Sequence, residues 1–233
     1  MTSVVALVQA RMGSTRFPGK MLAPFQGRPL LEWVLTRLRR ARSLDRVVLA
    51  TSQFERDDPL AKLAENLGVA VFRGSEYDVL GRFAAAAQAF EATTVVRICA
   101  DNPLVAPEAC DLAVDSFLRE RPDYAFNHIP RLGNQWPDGL GVEVLDAGLL
   151  RRQAETTADP RHREHVTAWI WDQPERWRIL AVPCPEEWRD PEGRVRLDVD
   201  RPEDLAALDA AFPGLTPESG IDGILDGWRR RTL

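Results

Sequence analysis

Three cations and two glycines follow the first apolar run of the chain. Val4–Val8 is continuously apolar, and the residues after it read QARMGSTRFPGK, with Arg11, Arg16 and Lys20 as the cations. Guanidinium and ammonium groups bind phosphate oxygens, and glycines let main-chain N–H groups approach an anion closely. The stretch is therefore a candidate phosphate-binding loop. A solvated basic turn is the alternative.

The spacing within this loop excludes two common nucleotide-binding motifs. Gly13 and Gly19 are separated by five residues, and Met21 follows Lys20. A P-loop has a shorter glycine spacing and a Ser or Thr after its lysine. No GxGxxG occurs in the chain. The sequence therefore argues against a P-loop ATPase and against a dinucleotide-dependent dehydrogenase.

Acidic residues follow two later apolar runs. Asp101 comes directly after Val95–Cys99, and Asp198 and Asp200 lie at the end of Val195–Val199. Mg²⁺ takes one or two protein carboxylates, and residues two apart on a strand point to the same face. These acids are candidate metal ligands. An Asx turn at the first and a helix cap at the last remain alternatives.

The elements that must position these residues follow from the hydrophobic pattern. Apolar, β-branched runs alternate with helical patterns through the first half, which predicts an α/β fold with a mostly parallel sheet flanked by helices. The predicted strands are Val4–Val8, Val47–Ala50, Val69–Phe72 and Val95–Cys99. The predicted helices are Pro29–Ala41, Pro59–Leu67 (capped by Asp57 or Asp58), Tyr77–Phe90 and Glu108–Arg121. Ligands bind beyond the carboxyl ends of strands in such sheets, where the opening loop lies.

The second half has wider spacing between its elements. Its predicted strands are Tyr124–Asn127, Val142–Leu145, Ile179–Val182 and Val195–Val199. Its predicted helices are Ala147–Glu155, Arg161–Trp171, Glu203–Ala211 and Ile221–Arg231, and His128–Gly141 is predicted to be a long loop. We expect a single domain over residues 1–233, with a small lobe within about 124–185 that serves the acceptor or a dimer contact.

Composition limits the class of ligand. The 233 residues are 45% hydrophobic and carry a net charge of −5, yet the first 31 residues hold four cations and no acid. A cationic site on an acidic protein suits a small anionic ligand rather than a nucleic acid. The three cysteines have no metal-binding spacing, and no apolar run is long enough to span a membrane. The chain is predicted to be cytoplasmic.

The opening stretch ALVQARMGSTRFPGKML resembles the nucleotide-binding loop of the cytidylyltransferases that activate acidic sugars. These include the CMP-Kdo and CMP-acylneuraminate synthetases, and the resemblance is to the spore coat polysaccharide biosynthesis branch in particular. It implies a Rossmann-like, GT-A-like nucleotidyltransferase fold and a loop that wraps the triphosphate of CTP. The loop positions to which it assigns nucleotide binding are Ala10, Arg11, Gly13, Ser14, Arg16 and Lys20.

Two acidic motifs extend the resemblance. ADNPL resembles the family's Asp-x-Pro metal motif, and VDRPEDL resembles its carboxyl-terminal Val-Asp-x-Pro-Glu-Asp. The resemblance implies that Asp101 and Asp200 hold a catalytic Mg²⁺, with Asp198 as support or as part of a second metal site. The implied catalytic residues are Arg11, Lys20, Asp101 and Asp200.

The stretch RGSEYDVLGRF resembles a further motif that lies near the nucleotide in the family. The resemblance implies that Ser75, Asp78 and Arg82 contribute to nucleotide binding. Asp78 and Arg82 are four residues apart on a predicted helix, so a surface ion pair between them is the alternative.

Two later stretches resemble the acceptor side of the family. WPDGLGVEVL implies an acceptor role for Asp138, Gly139 and Glu143, and HREHVTAWIW implies one for Arg163, Glu164 and His165. A simple Asp-Gly turn followed by an edge strand with an outward glutamate is the alternative for the first. For the second, a dimer contact is the alternative. A metal site at His162 and His165 is not favoured, because no carboxylate follows at a matching spacing.

Taken together, the resemblance implies Mg²⁺-dependent transfer of CMP from CTP to an acidic sugar or a phosphate-bearing acceptor. Pyrophosphate would be released, the pathway would be surface polysaccharide or glycan biosynthesis, and the enzyme would be a homodimer. The second-half cations that could receive the acceptor's carboxylate or phosphate include Arg131, Arg161, Arg163 and Arg196. The alternatives are a nucleotide-sugar-dependent glycosyltransferase and a catalytically silent nucleotide-binding module.

Overall fold

A computed structural model describes the backbone of residues 2–232 and the side chains of residues 2–230. The strands are β1 (Val4–Gln9), β2 (Pro24–Phe25), β3 (Arg28–Pro29), β4 (Arg46–Ser52), β5 (Ala70–Gly74), β6 (Thr94–Cys99), β7 (Tyr124–Phe126), β8 (Glu143–Asp146) and β9 (Ile179–Ala181). The α-helices are α1 (Leu30–Leu38), α2 (Asp58–Asn66), α3 (Val79–Ala89), α4 (Pro107–Glu120), α5 (Ala147–Thr156), α6 (Pro160–Glu164), α7 (Ala168–Asp172), α8 (Pro202–Ala211) and α9 (Ile221–Thr232).

One sheet runs through both halves of the chain, in the order β5-β4-β1-β6-β8-β7-β9. The pairs β5/β4, β4/β1, β1/β6 and β7/β9 are parallel, and β8 is antiparallel to both of its neighbours. The predicted α/β fold with a mostly parallel, helix-flanked sheet is therefore confirmed. The carboxyl ends of β1, β4, β5 and β6 all lie at one edge of the sheet.

The sheet separates two apolar layers because alternate residues of a strand face opposite sides. In β1, Ala6 and Val8 join one core cluster with α1, α2 and α4, while Val5 and Leu7 join another with α3 and α5. Both layers are needed to bury a central parallel strand, which explains why VVALVQ reads as a continuous apolar run.

A third cluster packs the hairpin of β2 and β3 against the carboxyl-terminal helices. Trp33 of α1 is fully buried there and donates from Nε1 to the carbonyl oxygen of Phe25 at 2.7 Å. Ile221 and Ile224 bury the tail helix α9 in the same cluster. The tail therefore contributes to the core. Among the described residues, no helix is long and apolar enough to cross a membrane.

Two of the sequence predictions about secondary structure are wrong. The predicted strand Val195–Val199 forms only an isolated bridge between Arg196 and Asp138, because its partner is a loop and not a second strand. The predicted helix Arg161–Trp171 is two short helices, α6 and α7. The chain leaves the helical conformation at His165, and Thr167 then donates its hydroxyl proton to the buried carboxylate of Glu143.

Candidate active site

The candidate site is an open cleft at the sheet edge where the parallel strands end. Its volume is about 240 Å³. The lining residues come from the ends of β1 and β6, from the opening loop and from the turn before α8. They are Gln9, Ala10, Arg11, Gly13, Ser14, Thr15, Arg16, Lys20, Met21, Cys99, Ala100, Asp101 and Asp200. The structure thus brings together the six predicted loop residues and the two predicted metal ligands.

The opening loop is held at its start by Asp57, and a glycine conformation shapes its end. The amide of Met12 donates to the buried carboxylate of Asp57 at 2.7 Å, and the Asp57 carboxylate also receives the Ser52 hydroxyl. Gly19 has a φ of 73°, a conformation that favours glycine, and it leads into the turn that carries Lys20. Asp57 was predicted as a possible helix cap, but its side chain makes no cap hydrogen bond and holds the loop instead.

Lys20 lies at the floor of the cleft and is only 7% exposed. Its Nζ donates to the carbonyl oxygen of Val199 at 2.5 Å. The same Nζ lies 3.7 Å from Asp101 Oδ2 and 3.8 Å from Asp200 Oδ1. One ammonium group therefore lies beside both predicted metal ligands.

Main-chain contacts bring the two acids to this point. The amide of Val199 donates to the carbonyl oxygen of Asp101 at 2.8 Å, which places the turn before α8 against the end of β6. Asp200 does not cap α8, because Asp204 accepts the amides of Asp200 and Arg201 at 2.9 and 2.8 Å. The Asp200 carboxylate is left to pair with Arg16 Nη1 at 2.8 Å.

The surroundings of Asp101 raise the pKa of its carboxyl group. Burial raises its pKa, Lys20 lowers it, and the neighbouring Asp200 carboxylate raises it again, with a net upward shift. Two carboxylates that share one ammonium group are a favourable place for a divalent cation. Among the described residues, no group of three or more His, Cys, Asp or Glu side chains could hold a metal. The two-carboxylate pair still fits Mg²⁺, which completes its coordination with water and substrate oxygens.

A buried acid adjoins the opening loop on its other side. The side chain of Glu76 is only 4% exposed and forms an ion pair with Arg56. Its Oε1 lies 3.7 Å from Arg11 Nη1. A Cβ on Gly13 would lie 2.8 Å from Glu76 Oε1, so glycine is what allows this close approach. Neither Glu76 nor Arg56 was predicted as a site residue, since the contacts span 20 residues or more.

The predicted residues Ser75, Asp78 and Arg82 lie beside this acid. Asp78 Oδ1 caps α3 by accepting the amide of Gly81 at 2.9 Å, and Ser75 Oγ accepts the amide of Asp78 at 3.0 Å. Arg82 donates to the main-chain oxygen of Ser75, and burial, with Arg11 nearby, lowers its pKa to about 10. The alternative Asp78–Arg82 ion pair does not form in the described part of the chain, because Asp78 pairs with Arg163 at 3.1 Å.

Asp138 and Gly139, which were predicted to bind the acceptor, pack against the segment before Asp200. Asp138 donates its amide to the carbonyl oxygen of Val195 at 3.2 Å, and its carbonyl oxygen accepts the amide of Leu197 at 3.1 Å. Burial and the nearby Asp198 carboxylate raise the pKa of Asp138 to about 6. Gly139 has a φ of 92°, and a Cβ there would lie 2.9 Å from the carbonyl carbon of Leu197. A side chain at position 139 would push this loop away from Leu197 and the segment that leads to Asp200.

Glu143 is at the centre of a buried polar network. Its carboxylate pairs with Arg97 and accepts hydrogen bonds from the Tyr124 hydroxyl at 2.6 Å and the Thr167 hydroxyl at 2.8 Å. Burial alone would raise its pKa, but Arg97, His128 and the two hydroxyl donors lower it to about 2. The alternative of an outward glutamate on an edge strand is wrong, because β8 lies between β6 and β7.

The three predicted acceptor residues of α6 and its end are in different surroundings. Arg163 reaches Asp78, whereas Glu164 and His165 are exposed. No hydrogen bond or ion pair among the described side chains joins Glu164 or His165 to the cleft. His162, the neighbouring histidine, bonds to Asp172 through Nε2 at 2.8 Å.

The similarity of the chain to known proteins agrees with this geometry. Residues 5–203 match the family model described as Cytidylyltransferase. The chain belongs to the cytidylyltransferase family. It is 35% identical over 217 residues to the spore coat polysaccharide biosynthesis protein SpsF of Bacillus subtilis strain 168, covering 91% of the chain and 87% of that protein.

Solved structures agree on the fold of this cytidylyltransferase. A cytidylyltransferase from Leptospira borgpetersenii serovar Hardjo-bovis superimposes with a TM-score of 0.91 at 30% identity, covering 100% of this chain and 96% of that one. A CMP:2-keto-3-deoxy-manno-octonic acid synthetase complexed with CTP has a TM-score of 0.66 at 16% identity, covering 90% and 98%. The resemblance stated from the motifs is confirmed, and with it the assignment of the chain as a nucleotidyltransferase.

Proposed function

We propose that this cytidylyltransferase transfers CMP from CTP to a small anionic acceptor and releases pyrophosphate, with Mg²⁺ as its cofactor. The observation that carries the proposal is the position of Lys20. Its ammonium group lies at the floor of a cationic loop, less than 4 Å from both Asp101 and Asp200. Such a site can hold a triphosphate against a divalent cation.

The loop supplies the groups that would bind the nucleotide. Arg11, Arg16 and Lys20 offset the phosphate charge, while Gly13 lets the main chain approach the ligand. Arg82 lies at the same end of the site, close enough to Arg11 for the two charges to interact. Ser75 and Asp78 would act by shaping the turn that presents Arg82.

Asp101 and Asp200 would hold the metal. When bound, Mg²⁺ neutralises charge on the phosphates and lowers the pKa of a bound hydroxyl group. The protein itself contributes alignment: the acceptor oxygen attacks the α-phosphorus in line while Lys20 and Arg16 stabilise the departing pyrophosphate. A manganese complex is known for a structural neighbour, Rv0371c of Mycobacterium tuberculosis, which shares the fold at 19% identity.

A covalent enzyme intermediate is not part of the proposal. Cys99 is the thiol that lines the cleft, and burial raises its pKa to about 12. A thiol with that pKa is protonated near neutral pH and is a poor nucleophile. Direct attack by the acceptor is therefore the simpler reaction. Surface polysaccharide biosynthesis as the pathway, a homodimer and a cytoplasmic location stay predictions.

The first experiment is a thermal shift with Mg²⁺ and CTP, UTP, ATP, GTP or a CDP-sugar, on the wild type, Lys20→Ala and Lys62→Ala. Lys62 is the other lysine of the chain and is exposed on α2, so it is a matched control. A ligand at a hundred times its Kd stabilises the fold by about 2.7 kcal/mol, which raises the Tm by several degrees. We expect a CTP-selective shift that Lys20→Ala abolishes and Lys62→Ala retains.

The second measurement identifies the product. Release of pyrophosphate from CTP supports nucleotidyl transfer, whereas release of a nucleoside diphosphate from a CDP-sugar indicates the glycosyltransferase alternative. Binding of CTP with neither product, across acidic sugars and phosphate esters, indicates a catalytically silent module.

A further inference from the structure

Arg37 of α1 is fully buried, and its donors bind main-chain carbonyl oxygens. Nε donates to Val105 at 2.8 Å, while Nη1 donates to Pro217 at 3.1 Å and to Ser219 at 2.7 Å. Burial lowers the pKa of Arg37 to about 10, so the guanidinium group stays charged near neutral pH. Hydrogen bonds from a charged donor are stronger than those from a neutral one. Arg37 therefore joins α1, the residues after β6 and the residues before α9.

The segment after β6 is the one that carries Asp101. The amide of Val105, four residues after Asp101, donates to the carbonyl oxygen of Asn102 at 3.1 Å and so closes a turn. The amide of Asn102 donates in turn to the carbonyl oxygen of Cys99 at 3.2 Å, at the end of β6. By binding the carbonyl oxygen of Val105, Arg37 holds the far end of the turn that follows Asp101.

The segment before α9 is the continuation of the helix that follows Asp200. α8 begins two residues after Asp200 and is about 15 Å long. Its Leu205 and Leu208 pack in the same apolar cluster as Trp33 of α1. Residues 213–220 then bring the carbonyl oxygens of Pro217 and Ser219 to Arg37. The position of α8 thus depends on contacts at its far end as well as on those beside Asp200.

A second side chain ties the far end of α8 to the segment that carries Lys20. Gln26 lies in the hairpin of β2 and β3, six residues after Lys20. Its amide donates to Asp209 Oδ1 at 2.7 Å, its Nε2 donates to the carbonyl oxygen of Asp209 at 2.8 Å, and its Oε1 accepts the amide of Gly214 at 2.8 Å. Gln26 has a φ of 45°, a conformation in which glycine or asparagine is favoured. The side-chain contacts offset the backbone strain of a glutamine at this position.

The contacts in the cleft and these distant contacts act on the same three segments. Inside the cleft, Lys20 Nζ donates to the carbonyl oxygen of Val199, and the Val199 amide donates to the carbonyl oxygen of Asp101. Away from the cleft, Arg37 joins the Asp101 segment to the residues after α8, and Gln26 joins the Lys20 segment to α8. Each segment is held at two points, which fixes its orientation as well as its distance from the others.

We propose that Arg37 and Gln26 are positioning residues that set the separation of the Asp101 and Asp200 carboxylates beside Lys20, and thereby the affinity of the site for a divalent cation. The inference rests on the proposed function, since it concerns the two acids that would hold the metal. It gives residues 213–220, which lie outside the matched segment 5–203, a part in organising the site.

The test measures Mn²⁺ binding rather than turnover. Mn²⁺ is titrated into the enzyme saturated with CTP and followed by water proton relaxation, with Mn²⁺ and CTP alone as the blank. The variants are Arg37→Met, Arg37→Lys and Gln26→Gly. Arg39→Ala is the matched control, because Arg39 also donates to a main-chain carbonyl oxygen, that of Leu67, at the opposite end of the sheet from the cleft. Asp101→Asn tests the metal site itself, and the Tm of each protein without ligands reports its stability.

We expect Arg37→Met to raise the Kd for Mn²⁺ roughly 10- to 100-fold, as is typical when a group that orients metal ligands is removed. Arg37→Lys should rescue part of this loss, since it keeps a charged donor. Gln26→Gly should raise the Kd by a smaller factor, although glycine suits the backbone conformation of the hairpin. Arg39→Ala should bind Mn²⁺ as the wild type does, even if its Tm falls.

A variant that is folded, less stable and unchanged in its Kd for Mn²⁺ would show that its residue is structural only. That result in both Arg37→Lys and Gln26→Gly, or an equal loss of Mn²⁺ binding in Arg39→Ala, would overturn the inference and leave the proposed function intact. Arg37→Met leaves buried carbonyl oxygens without donors. If circular dichroism shows it to be unfolded, Arg37→Lys and Gln26→Gly decide the matter. A wild type that binds no Mn²⁺ with CTP, or undiminished binding in Asp101→Asn, would instead contradict the proposed function.

Discussion

Arg163 Nη1 lies 3.1 Å from Asp78 Oδ2, although the two residues are 85 positions apart. Asp78 also caps α3 beside the cleft, while Arg163 belongs to α6 and donates to the carbonyl oxygen of Thr157 at 2.8 Å. A predicted nucleotide-side residue and a predicted acceptor-side residue are therefore joined directly. The pair connects the helix that carries Arg82 to the second half of the chain.

A double-mutant cycle measures what this ion pair contributes. Both side chains are partly exposed, so we expect a coupling energy of about 0.2–1 kcal/mol that weakens at high salt. Each single variant also loses other contacts: Asp78→Ala removes a helix cap worth about 0.5–2 kcal/mol, and Arg163→Ala removes the hydrogen bonds to Thr157, so the cycle is needed to isolate the ion pair. Urea unfolding of the two single variants and the double variant gives these values. A coupling energy near zero would show that the ion pair contributes nothing to stability.

Removal of either carboxylate beside Lys20 should separate activity from stability. Asp101→Asn and Asp200→Asn each relieve repulsion between two acids, so the Tm without ligands should hold or rise. If the two acids hold the metal as proposed, transfer activity should fall on the order of 10²-fold or more, because the proposed metal pair would be incomplete. Asp198→Asn is the matched control, since Asp198 pairs with Arg196 and not with Lys20. A comparable loss in Asp198→Asn would favour a second metal site.

Glu76 should affect the KM for CTP by positioning Arg11. Glu76→Gln removes the buried charge opposite Arg11 and Arg56, and we expect a loss of about 1–2 kcal/mol of stability because both arginines keep solvent contact. The KM for CTP should rise several-fold with a smaller change in kcat. Arg56→Ala leaves the Arg11 contact in place and should keep the KM near the wild-type value. Steady-state kinetics on the two variants distinguish positioning of Arg11 from a general packing defect.

Glu143 gives the fold a defined acid sensitivity. Its folded pKa is below its ordinary value of 4.5, so its ionised form stabilises the fold above that pH. This stabilisation is lost as the pH falls from about 4.5 towards about 2. Glu143→Gln should flatten stability over that window and, at neutral pH, cost roughly 3–5 kcal/mol by leaving Arg97 unpaired. Urea unfolding from pH 7 to pH 3 tests this, with Glu164→Gln as the exposed control.

The first-half strands and the opening loop were predictable because their signals are local. A buried parallel strand such as β1 must be apolar along its whole length, and the cations and glycines after it are visible as a group. The motif order also singled out Asp101 and Asp200, which the structure places in the cleft. The same local reasoning failed for Val195–Val199, because an apolar run does not reveal whether a strand lies beside it to complete a ladder.

The sequence by itself determined the fold class, the cationic and glycine-bearing character of the opening loop and the two acids that lie in the cleft. Only the tertiary structure decided which groups surround them. Lys20 is fixed by the carbonyl oxygen of Val199, 179 residues away, and Met12 by Asp57, 45 residues away. The physical reason is the parallel sheet, which gathers the carboxyl ends of β1, β4, β5 and β6 at one edge and so makes neighbours of residues that no local pattern connects.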